Sequence, residues 1–126
     1  MSALGTDEAM ILLVDDDEAM RELFCKLLAC HGYTAVPAAN AAQAFTMLSA
    51  LRFHLVISDH TMPDGTGAQL IRHVRARYPW TRTMLISCDI YHLPQLAQQC
   101  GADTYYEKGD AMATFMHAVR ELLGGQ

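Results

Sequence analysis

The sequence predicts an α/β protein built on an open parallel sheet of five strands, and three observations carry that expectation. Short apolar runs alternate with longer stretches of helical period along the whole chain. The composition is 52% apolar and only 18% charged, which suits a sheet buried on both faces. Acidic residues directly follow two of the apolar runs, where strands of such a sheet end.

The first strand is expected at Met10–Val14, followed by a helix over Glu18–Cys30. Met20, Leu23, Phe24, Leu27 and Leu28 make that helix's apolar stripe, and Gly32 ends it where positive φ is needed. A second strand at Thr34–Pro37 leads to Asn40, a good N-cap for a helix that should turn Phe45, Leu48 and Leu51 inward. Strand three covers Leu55–Ser58, and the third helix runs from Ala68 to Tyr78, stopping before Pro79. The fourth strand, Thr83–Ser87, precedes a short helix over Pro94–Cys100, with proline in its first turn and Gly101 at its end. Thr104–Glu107 is the fifth strand. The last helix, Ala111–Leu123, places Phe115, Met116, Val119 and Leu122 on one face.

At 126 residues the chain is expected to form one domain, with a core over 10–123 and loose ends at 1–8 and 124–126. The net charge of -5 argues against direct nucleic-acid binding, which rests on Lys and Arg neutralising phosphates. No apolar run reaches the roughly 18 residues of a membrane span, and the N-terminal stretch does not read as a secretory signal, so a cytoplasmic protein is expected. Cys25, Cys30, Cys88 and Cys100 form no CxxC pair, and the six histidines lack metal-site spacing. Reduced, mostly packed thiols are expected instead.

The acidic residues carry the chemistry. Asp15 and Asp16 follow the run ILLV, and Asp59 follows LVIS. If the first and third strands are neighbours, three carboxylates converge at the crevice beyond the strand ends. Two unit charges about 4 Å apart repel by about 4 kcal/mol at an effective dielectric near 20, so such a cluster requires cations. Lys108, after the fifth strand, could supply one; a divalent ion would balance the rest, and an all-oxygen set favours Mg²⁺ over zinc. Read alone, the DDD run serves helix capping as well as metal binding, and Asp17 reads as a cap. Ser87 read alone is a strand-end hydroxyl satisfying local backbone, and Tyr105 a partly buried strand aromatic.

The segments ILLVDDD, LVISDHTMPDGTG, TMLIS and GADTYYEKG, in this order and spacing, resemble the receiver domains of two-component response regulators from about Met10 to Leu123. The resemblance implies a doubly wound, flavodoxin-like sheet of strand order 2-1-3-4-5 with five helices. It implies that Asp59 is the phospho-acceptor and that Asp15, Asp16, Asp59 and the backbone carbonyl of Thr61 hold Mg²⁺, with Mn²⁺ as a substitute. Ser87 becomes the switch hydroxyl, Lys108 the phosphate-binding lysine, and Tyr105 the aromatic that changes rotamer. The implied donor is a sensor histidine kinase or phosphotransfer protein, and the signal leaves through the fourth helix, fifth strand and fifth helix, a face compatible with homodimerisation. A downstream protein or a fused output domain would read it. Such a domain is no turnover enzyme, though it promotes its own aspartyl phosphorylation and dephosphorylation.

Three features depart from that pattern. Gly109 stands where the family usually has proline after the lysine, so a trans Lys108–Gly109 bond is expected, because a non-proline cis bond costs roughly 2.5–4 kcal/mol. Cys88 is bulkier than the usual small residue, and the stretch from Ser87 to Gly101 is one residue short, which should tighten the loop after Ser87. Alternatives are a receiver-like module that signals by binding alone, or a receiver fragment of a larger regulator or hybrid kinase. The chain lacks the DxDxT and glycine-rich phosphate-loop motifs of small phosphatases, flavin carriers and nucleotide-binding enzymes.

Overall fold

A computed structural model of the chain describes residues 9–89 and 91–124. Of the expected loose ends at 1–8 and 124–126, all but Gly124 lie outside the described residues. Among the described residues seven strands occur: β1 (Met10–Val14), β2 (Thr34–Ala38), β3 (Leu55–Asp59), β4 (Thr61–Met62), β5 (Gly65–Thr66), β6 (Arg82–Ser87) and β7 (Thr104–Glu107). Five helices occur with them: α1 (Glu18–Cys30), α2 (Ala41–Ala50), α3 (Gly67–Arg77), α4 (Leu93–Cys100) and α5 (Met112–Leu122).

The main sheet is parallel with order β2-β1-β3-β6-β7, the expected 2-1-3-4-5 winding. Alternation along the strands divides the core. Ile11, Leu13, Leu55, Ile57, Met84 and Ile86 face α1 and α5, meeting Phe24, Leu28, Phe115 and Val119. Leu12, Val14 and Val56 face the other side, against Ala44, Leu48, Leu70 and Val74 of α2 and α3, while Leu85 meets Ile71 and Leu93. Each fully buried aliphatic side chain contributes roughly 1.5–3 kcal/mol, which holds the central strands in register. Pro37 lies within β2, an edge strand where the missing N–H is tolerated.

Several helix faces differ from the expected ones. The buried stripe of α2 is Ala41, Ala44 and Leu48; Phe45 and Leu51 are exposed, because Phe45 lies on the flank of that stripe and Leu51 has left the helix with extended backbone. Leu23 of α1 is likewise exposed, leaving Phe24 and Leu28 as its buried anchors. Thiols are less packed than expected: all four cysteines are free, but Cys30 and Cys88 are exposed.

The antiparallel β4–β5 hairpin was absent from the sequence reading, since two-residue strands leave no periodic signal. Thr66 then caps α3 through a capping box with Gln69, starting the helix at Gly67 rather than Ala68. A Cβ on Gly67 would stand 2.4 Å from the Asp59 carbonyl oxygen, so only glycine lets α3 approach the end of β3 so closely. All described peptide bonds are trans, Lys108–Gly109 included, and Gly109 takes φ +98°.

Candidate functional site

Parallel pairing of β1 with β3 sets Val14 against Ser58, so the next residues, Asp15 just past β1 and Asp59 at the end of β3, stand side by side. Here the winding reverses, because the crossover from β1 leads to β2 on one side, whereas the crossover from β2 passes back over β1 to β3 on the other. Asp15, Asp16 and Asp59 offer oxygens that all lie within 4.8 Å of one another, Asp15 and Asp59 buried and Asp16 exposed. Lys108, just past β7, brings Nζ to 3.0 Å from Asp15 Oδ2 and 3.3 Å from Asp59 Oδ2.

Burial raises the Asp59 pKa to about 6; Lys108 opposes the rise, while Asp15 and Asp16 add to it. Burial lowers that of Lys108, but its close pairing with the carboxylates of Asp15 and Asp59 outweighs burial and holds the ammonium above its ordinary value. The lysine is therefore charged, and among the described residues it is the one basic side chain within 4.0 Å of these carboxylates.

Local bonds fix the acidic residues. Asp15 Oδ1 accepts from the Asp17 N–H at 3.0 Å, its carbonyl accepts from Arg21 Nη1 at 2.8 Å, and its N–H donates to the Ala38 carbonyl at 3.1 Å. Asp15 Oδ2 is fully buried and has no aligned hydrogen bond, only the ion pair with Lys108. A buried carboxylate oxygen left in that condition, beside two more carboxylates, fits a hard divalent cation of the Mg²⁺ kind. Asp17 caps α1 as expected, accepting from Ala19 and Met20.

Ser87 ends β6, buried, with its Oγ accepting from the Asp89 N–H at 3.0 Å. Its carbonyl accepts from the Lys108 N–H at 2.9 Å, so the serine and lysine loops are joined through backbone. Thr61 is exposed in β4, two residues beyond Asp59. Tyr105 is not gathered into the cluster: it is 41% exposed on β7, whereas Tyr106 is buried and donates its hydroxyl to the Asp110 and Ala111 carbonyls. Cys88 is exposed beside Ser87.

Two supporting residues escaped the sequence reading. Asp64, at the hairpin turn, accepts the Ala41 N–H at 2.9 Å and the Ala42 N–H at 3.0 Å, tying the segment after Asp59 to the start of α2. These bonds hold its carboxyl below the usual carboxylate range. The PDG turn was the available signal, but it does not reveal a partner more than twenty residues away. Arg21 was hidden differently, since its tie to Asp15 follows only from helix geometry.

Comparison with known proteins gives a consistent result. Residues 11–120 match the family model of the response regulator receiver domain. The chain is 33% identical to response regulator protein FleR of Pseudomonas aeruginosa over 118 residues, 92% of this chain but 25% of FleR. It is also 33% identical to protein PetR of Rhodobacter capsulatus over 98 residues, 78% of this chain and 41% of PetR. Among solved structures, response regulator TrrA of Thermotoga maritima in complex with Mg²⁺-BeF superposes with a TM-score of 0.83 at 26% identity, covering 90% of this chain and 98% of TrrA.

Proposed function

The chain belongs to the response regulator receiver family, and from that premise we propose that it is a phosphorylation-driven signalling switch whose acceptor is Asp59. The observation that carries the reading is the trio Asp15, Asp16 and Asp59 with Lys108 Nζ bridging two of them at 3.0 and 3.3 Å. Receivers are signalling domains of two-component systems rather than turnover enzymes, and the donor proposed here is the phosphohistidine of a sensor kinase or phosphotransfer protein, acting in the cytoplasm.

An ionised Asp59 oxygen attacks phosphorus directly, forming a P–O bond as the donor's P–N bond breaks, and the departing imidazole keeps the electron pair and takes a proton from water. No general base is needed. Asp15, Asp16, Asp59 and the Thr61 carbonyl would hold Mg²⁺, or Mn²⁺ in its place, which supplies positive charge to the transferring oxygens. Lys108 adds a second positive charge from the opposite loop. Ser87 Oγ, accepting from Asp89, keeps its own proton available to donate to a phosphoryl oxygen. That bond would draw the loop after Ser87 inward, and Tyr105, on the neighbouring strand, would follow. The face of α4, β7 and α5 then carries the signal to a downstream protein, an output domain or a second copy of the chain.

Incubation with Mg²⁺ and acetyl phosphate followed by intact mass measurement tests the acceptor. The expected result is a gain of one phosphoryl group that Asp59→Asn abolishes. No gain, under conditions that label other receivers, would leave signalling by binding alone as the better reading.

A further inference from the structure

At the pole opposite Asp59, where the strands begin, the surface changes character. Phe45, Leu51 and Trp80 are exposed by 40%, 44% and 48%. Ring contacts join this region into one strip: Phe45 lies edge-on to His73 at 4.8 Å, His73 to Tyr78 at 6.1 Å, and Tyr78 to Trp80 at 5.8 Å. Leu51, Phe53, Tyr78 and Trp80 line a cleft of about 150 Å³, and Arg52 sits over the Trp80 ring with its guanidinium carbon 4.4 Å from the centroid. Contiguous apolar exposure of this kind marks interaction surfaces, whereas single exposed side chains do not.

Basic charge is concentrated between residues 52 and 82 of the chain, and two of its arginines, Arg52 and Arg77, adjoin the strip. Five of the nine basic residues are Arg52, Arg72, Arg75, Arg77 and Arg82, in a chain of net charge -5. Arg75 and Arg82 share Asp103, at 3.9 and 4.0 Å. Among the described residues no carboxylate lies within 4.0 Å of Arg52, Arg72 or Arg77. Arg77 lies one helical turn beyond His73 on the same face of α3 and adjoins Tyr78. Unpaired guanidiniums therefore flank the apolar strip.

We propose that this aromatic strip between α2 and α3 is a docking surface for an acidic protein segment that inserts one leucine- or phenylalanine-sized side chain beside Trp80 and sets its carboxylates against Arg52 and Arg77. A cleft near 150 Å³ suits one such side chain. Nucleic acid fits poorly, because one face of the indole is occupied by Arg52 and the overall charge is repulsive. The site is remote from Asp59, so it does not depend on phosphorylation and leaves the acceptor end open to a donor.

Trp80 is the only tryptophan, so its fluorescence reports on this strip alone. The full chain is titrated with a peptide of Asp and Glu around a central Leu-Phe pair, and affinity is measured in parallel by calorimetry because substituting Arg52 perturbs the fluorophore. A saturable shift is expected. Affinity should fall roughly tenfold in Arg52→Glu and in Arg77→Glu, fall again at high salt, and stay unchanged in Arg120→Glu on α5. Intact mass after acetyl phosphate treatment should be the same in all three variants, which also shows that they are folded. The proposal is overturned by no saturable binding, by binding that Arg52→Glu and Arg77→Glu leave intact, or by tighter binding of a single-stranded oligonucleotide. A fluorescence shift that tracks protein concentration without peptide would overturn it too, in favour of a second copy of the chain.

Discussion

The two loops that flank the carboxylates are built to different standards of rigidity. Residues 60–67, on the acidic side, form a paired hairpin, seated by a glycine with no room for a Cβ and tied by Asp64 to two N–H groups of α2. The same β2–α2 junction holds Asp15, whose N–H donates to Ala38. On the responding side, the loop after Ser87 is organised mainly by Asp89, which accepts from Tyr91 and His92 and pairs with the exposed His92 side chain at 2.9 Å. Beside it, Gly109 occupies positive φ, and Tyr91 is 87% exposed. A fixed end aims oxygens; a loosely tied end can move when a new hydrogen bond appears.

The largest expected effect breaks the electrostatic link between the two ends. Lys108→Ala leaves Asp15 and Asp59 buried without an ammonium and should cost about 3 kcal/mol at neutral pH, the low end for removing one partner of a buried pair. Urea unfolding without divalent ions measures it, and Mg²⁺ should restore part of the loss.

A smaller effect follows from the raised pKa of Asp59, about 6. A carboxyl whose folded pKa exceeds its unfolded value favours folding fully below the unfolded pKa, and that contribution is lost as pH rises through about 6. Asp59→Asn should therefore stabilise the metal-free protein above pH 7 by about 2 kcal/mol, with the advantage shrinking toward pH 4. Thermal melts across that range check the sign.

Smaller again is the bracing of the acidic end. Asn40→Ala removes a cap from α2 and should cost about 1 kcal/mol of stability, and Asp64→Ala, which frees the Ala41 and Ala42 N–H groups, should also lower the melting temperature. Only Asp64→Ala should also weaken Mg²⁺ binding, by several-fold, because only Asp64 reaches the hairpin after Asp59. Equal Mg²⁺ affinities in the two variants would remove the distinction drawn between a braced end and an ordinary helix cap.

The parts legible in the sequence were those with a repeating signal or a fixed place in the winding. The placing of Asp15, Asp16 and Asp59 at carboxyl ends of strands follows from apolar runs ending in acids, because a parallel sheet aligns those ends, whereas the strand order that brings them together is what the resemblance to receiver domains implied. The hairpin and the reach of Asp64 were not legible, since a two-residue strand has no period and a long-range cap has no local pattern. Phe45 and Leu51 misled for a related reason: hydrophobicity places a residue near an apolar stripe but does not say which residue forms its centre. Their exposure is what opened the strip beside Trp80.

Amide NMR of wild type, Ser87→Ala and Asp59→Asn with Mg²⁺ and beryllofluoride, a phosphoryl stand-in, tests Asp59 as the acceptor and Ser87 as the relay together. Wild type should form a saturable adduct whose shifts spread from Asp59 through Ser87 and Lys108 to Tyr105. Ser87→Ala should form the adduct but lose the shifts at Tyr105, and Asp59→Asn should form none. An adduct that persists in Asp59→Asn, or no adduct in wild type, would contradict Asp59 as the acceptor.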